Sequence, residues 1–150
     1  MSLETEVMSL MKDAMKNKDE AMLRGLRAIK AEIIKAKTDP GANGEISAET
    51  ELKLLQKLVK QRKDSLAIYE QQSRPDLAVK ESEEIAIIEK FLPAQMSEED
   101  VKAAVQAIIN ELGALGPQDL GKVMGLATKQ LAGQADGKVI SAIAKSLLTA

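Results

Sequence analysis

The sequence predicts an all-α protein: an N-terminal long-helix hairpin domain over residues 1–92 and a compact C-terminal three-helix bundle over residues 93–150. Three observations lead there. Apolar residues recur at steps of three and four almost throughout, the spacing of one helical face. No alternation of period two runs for four residues or more, so no strand competes. Aromatics make up 1% of the 150 residues, Tyr69 and Phe91 being the whole stock. The core therefore falls to Leu, Ile, Val, Met and Ala, which favour helices or tolerate them.

Leu3, Val7, Leu10 and Ala14 mark one face of a first helix. The polar break Asn17-Lys18-Asp19 ends it, and Met22, Leu26, Ile29 and Ile33 repeat the pattern in a second. The breakers Asp39-Pro40-Gly41-Ala42-Asn43-Gly44 predict an exposed loop, after which Ser47 is placed to cap a third helix. That helix is the longest. Leu52, Leu55, Val59, Arg62, Leu66 and Tyr69 form a seam suited to packing along a neighbouring helix, and it ends near Gln72. Ser73-Arg74-Pro75-Asp76 reads as a capping box with proline in the first turn, where its missing N–H costs little. Leu77, Glu81, Ile85, Ile88 and Leu92 carry the fourth helix to Pro93, and the segment Phe91–Gln95 is the predicted domain boundary.

Ser97-Glu98-Glu99-Asp100 is a second box of the same kind. It opens a helix with Val101, Val105, Ile108 and Leu112 on its apolar face and Gly113 at the C-cap position. Gly116-Pro117 marks a turn. Leu120, Val123, Met124, Ala127 and Leu131 make a short helix, Gly133–Asp136 turns again, and Val139, Ile140, Ile143, Ala144 and Leu147 close the chain.

Composition excludes several classes of chemistry. Without cysteine there is no disulfide, thiolate nucleophile or cysteine metal site. Without histidine the commonest general base and metal ligand are missing. No cofactor or metal is expected. Glu4 and Glu6 make the N-terminus acidic, unlike a signal peptide, and no run approaches the ~18 apolar residues of a membrane span. The expected compartment is the cytoplasm, with no membrane partner. A net charge of −2 excludes nucleic-acid binding by bulk charge and leaves only a local patch.

Glu81, Glu83 and Glu84 suggest a metal or a catalytic carboxylate pair. No other acid is tied to them in sequence, and acids early in a helix suit its positive end. Arg62 interrupts an apolar seam, so a partner, Glu81 or Glu84, is expected across it as a structural ion pair. The alternative is that Arg62 snorkels to the seam's edge. Lys53, Lys57, Lys60 and Lys63 cluster on one helix, and Arg24, Arg27 and Lys30 on another. Such faces dock phosphates, but Glu49, Glu51 and Asp64 flank the first and pair readily with its lysines. Gly121 and Gly125 stand four apart inside a helix, each costing about 1 kcal/mol relative to alanine. Close approach of another helix is the simplest reason, and an exposed smooth patch for a partner macromolecule the functional one. Met1, Met8, Met11, Met15 and Met22 read as core and initiator residues rather than an adaptable partner surface.

Several segments carry a resemblance. They are Leu23-Arg24 with Leu26-Arg27-Ala28-Ile29-Lys30, Gln61-Arg62-Lys63-Asp64-Ser65 followed by Tyr69, and Arg74-Pro75-Asp76-Leu77-Ala78 with Glu81 and Glu84. Phe91-Leu92-Pro93-Ala94-Gln95-Met96-Ser97, Asp119-Leu120-Gly121-Lys122-Val123-Met124 and Asp136-Gly137-Lys138 complete the set. In their order and spacing the chain resembles the YqeY proteins, and through them the C-terminal tail of GatB, the tRNA-binding subunit of a glutamine-dependent amidotransferase. Phe91 stands where the family often has Tyr, and Leu120 where it often has Met.

The resemblance implies an all-helical fold in two parts with a break near Pro93, and a link to tRNA or to an amidotransferase-related protein. The family is filed under carbon–nitrogen ligase activity with glutamine as amido donor, a label that describes the whole amidotransferase. The tail holds neither the kinase-like site of GatB nor the Lys-Ser-Ser machinery of its partner subunit, and no residue set here replaces them. The expectation is a non-catalytic, tRNA-contacting or amidotransferase-associated module, with Gly121, Lys122, Gly125, Lys129 and Lys138 on or near its contact surface. The alternative is a protein–protein adaptor with no RNA role, and an independent amidotransferase or hydrolase ranks last. The oligomeric state is left open.

Overall fold

The computed structural model describes residues 2–149, so Met1 and Ala150 lie outside it. Among the described residues there are seven α-helices and no strands. They are α1 (Leu3–Lys16), α2 (Glu20–Thr38), α3 (Ala48–Gln71), α4 (Pro75–Glu89), α5 (Glu98–Leu112), α6 (Leu120–Gln130) and α7 (Gly137–Thr149), with a 3-10 turn at Pro117–Asp119. No helix among these is long and apolar enough to cross a membrane. The chain divides between Leu92 and Pro93 into two compact units.

Five helices begin on a side-chain cap, α7 among them, where Asp136 accepts from the Lys138 N–H at 3.0 Å. Ser2, Asp19, Ser47 and Ser97 accept hydrogen bonds from the backbone N–H groups of Thr5, Met22, Thr50 and Asp100, at 3.0 to 3.2 Å. Each such cap contributes about 1 kcal/mol. Helix α4 departs from expectation. Ser73 takes φ +57° and Arg74 occupies the cap position without a side-chain cap bond, so there is no Ser73 capping box. Pro75 does stand in the first turn, and the Arg74 guanidinium grips the Asp76 carboxylate through two bonds, of 3.1 and 2.9 Å.

In the first unit α2 packs on α1, α3 and α4, and α3 lies along α4. Val7, Leu26, Ile29, Ile33, Leu55 and Ile88 are its deepest side chains. Helix α3 buries Leu54, Leu55, Leu58 and Val59, a broader stripe than the expected seam, because α2 covers it as well as α4. Between Lys60 and Glu84 no residue is buried, so the distal half of the α3–α4 pair rests on its own seam. Gly25 is buried in α2 facing α4. A Cβ built on it would fall 2.8 Å from Ile87 Cγ2 and 3.1 Å from Ile87 Cβ, so the two helices approach there as closely as a glycine allows.

In the second unit α5, α6 and α7 each pack on the other two, around Val101, Val105, Ile108, Val123 and Ile140. Ile109 is buried where Leu112 was expected, and Leu112 is 42% exposed, because α5 ends there at Gly113 in the left-handed conformation, φ +63°. Gln95 Nε2 donates to the carbonyl of Gly133 at 2.7 Å, and the Met96 N–H donates to that of Gln134 at 2.9 Å. The segment after Pro93 is thereby tied to the turn between α6 and α7.

Candidate nucleic-acid interface

Helix α6 turns Val123 and Ala127 into the core and leaves Gly121, Lys122, Gly125, Thr128 and Lys129 exposed on its opposite side. A Cβ built on Gly121 or on Gly125 meets no heavy atom within 4 Å. The expectation that another helix approaches these glycines is therefore overturned: among the described residues, no other element packs against either. The Thr128 hydroxyl donates to the Met124 carbonyl at 2.6 Å, folded back on its own helix, which keeps the face low. Lys122 and Lys129 are seven residues apart, about 10 Å along the axis. Helix α6 contains no acidic residue, and among the described residues neither lysine is in an ion pair. Four of the six acids of this unit, Glu98, Glu99, Asp100 and Glu111, lie on α5, while Asp119 stands at the cap of α6 and Asp136 just before α7. A chain of net charge −2 thus carries a small face on α6 with two lysines and no acid from the helix itself.

Lys138 is not on that face. It lines an open groove of about 420 Å³ between α7 and the first turns of α5, and no α6 residue takes part in its lining. The five residues expected to form one contact surface fall on two surfaces. Local spacing places Gly121, Lys122, Gly125 and Lys129 together but says nothing of where a residue beyond the next turn lands.

Some basic residues of the first unit are occupied, while Arg27, Lys30 and Lys60 are in no ion pair among the described residues. Lys53 pairs with Glu49 at 2.9 Å, Lys57 with Glu32 at 3.5 Å and Lys63 with Glu89 at 3.4 Å. Arg24 Nη2 meets Glu83 Oε2 at 2.7 Å. Arg62 stands where the buried part of α3 ends, its Nε 3.6 Å from Glu84 Oε2 and its Nη1 donating to the Leu58 carbonyl at 3.3 Å. Glu84 also lies 4.0 Å from Arg24 Nε, so one carboxylate joins α2, α3 and α4. Among the described residues no three of His, Cys, Asp or Glu are disposed to hold a metal, and of the acidic cluster Glu83 and Glu84 serve as helix-to-helix pairing.

Glu81 has no ion-pair partner within 4 Å. Its pKa is raised, first by burial and then by Glu84, while Arg62 opposes the rise. A carboxyl whose folded-state pKa is raised contributes stability below its unfolded value, about 4.3, and loses it as pH climbs through the folded value. Glu81→Gln should therefore match the parent near pH 4 and gain slightly on it toward pH 7. Urea melts at the two pH values check this, and a variant that loses stability at pH 7 would show that the attraction of Arg62 outweighs burial.

Sequence reasoning missed Gly25, though the signal was present: a mid-helix glycine outside any cap calls for a packing reason.

Comparison with known proteins adds the following. The family model described as Yqey-like protein matches residues 4–148. Altered inheritance of mitochondria protein 41, a mitochondrial protein of Clavispora lusitaniae, is 36% identical over 106 residues, which cover 69% of this chain. The chain spans about three fifths, 61%, of that relative's length.

Proposed function

The chain belongs to the YqeY family, and on that premise we propose that it is a non-catalytic module that contacts tRNA through the phosphate backbone and acts beside a tRNA amidotransferase. The observation that supports this reading is the exposed α6 face, where Gly121 and Gly125 meet empty space beside Lys122 and Lys129, neither in an ion pair among the described residues. A helix bears that propensity cost most readily where something outside the chain must come close to its backbone. Lysine at both ends of a smooth strip suits a phosphodiester run, which positions a partner without reading its bases. Shape and backbone recognition of folded RNA also needs no aromatic platform, and neither aromatic of this chain lies in the second unit. The reading assigns no bond-making step to this chain, and the cytoplasm is the compartment proposed with it.

The test is binding of purified protein to bulk tRNA across a salt series, with duplex DNA as control. Lys122→Ala/Lys129→Ala should weaken tRNA binding about tenfold or more and lower the salt slope by about 1.5, the share of two phosphate contacts. Lys138→Ala should change little. Equal affinity for tRNA and DNA, or an unaffected double variant, would transfer the assignment to the adaptor reading.

A further inference from the structure

A second apolar stripe on α7 lies at the edge of the core, with Ile143 and Leu147 packed partly against it. Ile140, Ala144 and Leu148 turn inward, while Val139, Ile143 and Leu147, one position before each, are only partly buried. With Ala142 and Ser146 they line the groove beside α5, whose rim holds Glu98, Lys102 and Lys138. All three rim charges are exposed, and among the described residues none is in an ion pair.

We propose that this groove docks an acidic amphipathic helix of a partner protein. Its α7 wall runs ten residues from Lys138 to Leu147, about 13 Å or two to three helical turns. Its apolar groups repeat at i, i+4 and i+8, the spacing that receives the ridge of a second helix. The groove is open, unlike a ligand pocket that encloses most of its guest, which favours a helix over a small molecule. Its sign favours an acidic partner: two lysines face one glutamate at the rim, α7 carries Lys138 and Lys145 with no acid of its own, and the Asp136 carboxylate before it is engaged by the Lys138 N–H. A second copy of this chain is a poor occupant, because α7 laid against α7 would oppose lysine to lysine. Nucleic acid offers no apolar face to the stripe. The surface is separate from the α6 face, so it stands whether or not RNA binds there.

The probes are two capped helical peptides of about 15 residues, long enough to form a helix on docking. Both carry leucines at i, i+3, i+4 and i+7. One is flanked by glutamates and the other by lysines. The full-length chain should bind the acidic peptide about tenfold more tightly at low salt, with amide shifts at Val139, Ile143 and Leu147. Ala142→Glu, at an exposed position, should weaken that binding about tenfold by like-charge repulsion. Lys102→Glu/Lys138→Glu should exchange the preference, so that the basic peptide now binds better. Thermal melts confirm that these exposed substitutions leave the fold intact. Equal binding of the two peptides, no shift on α7, or a charge reversal that does not exchange the preference would overturn the proposal.

Discussion

Gly25→Val is expected to lower the unfolding free energy by about 2–3 kcal/mol, the range for forcing extra methyl groups into a packed core. The position is closed on its outer side. The first added carbon would lie 2.8 Å from Ile87 Cγ2, and Ile87 is itself 8% exposed and cannot swing into solvent. Valine would gain some helix propensity over glycine, a few tenths of a kcal/mol, which is too little to offset the overlap. The cause is checked by a double-mutant cycle. Ile87→Ala alone should destabilise by about 2–5 kcal/mol through the cavity it leaves. Combined with Gly25→Val, the loss should be smaller than the sum of the two by at least about 1 kcal/mol, because the valine fills the space that Ile87 vacates. Additive losses in urea melts would mean that the α2–α4 crossing is not set by this contact.

The same reasoning with the opposite sign governs Gly121 and Gly125. Both are helical and exposed and face nothing within 4 Å. Changing each to alanine should raise stability by about 1 kcal/mol, from helix propensity and from a less flexible unfolded chain. The double variant should therefore melt higher than the parent. It should also bind tRNA about tenfold more weakly, since two methyl groups hold a phosphodiester strand off the helix and lengthen the lysine contacts. Higher stability joined to lower affinity marks a surface kept smooth for a partner. Higher stability with unchanged affinity would remove the glycines from the proposed interface.

Much of the fold was legible because its signals are local. Helix spacing carries the all-α class, and Ser47, Ser97 and Gly113 announce the ends they occupy. The errors arose where a distant element decides. Ser73-Arg74-Pro75-Asp76 has the letters of a capping box, yet the Arg74–Asp76 pair and the left-handed Ser73 take over. Leu112 fits the period of α5 as well as Ile109 does, and only the end of the helix leaves it exposed. The sequence left two partners open for Arg62, and the structure places Glu84 beside it at 3.6 Å, with Arg24 of α2 4.0 Å from the same carboxylate. The contact surface was the least legible. Helical spacing groups the four α6 residues, but it cannot tell that no helix covers them, nor that Lys138 belongs to a groove on another side of α7.

The central claim is that the α6 face is where tRNA meets this chain. Its most direct test is an amide chemical-shift map of the full-length 15N-labelled protein, titrated with tRNA at low and at moderate salt. The account predicts shifts concentrated on Gly121, Lys122, Gly125, Thr128 and Lys129, fading together as salt rises. Shifts confined to the first unit or to the α7 groove, or no shifts at tRNA concentrations that saturate any binding, would contradict it.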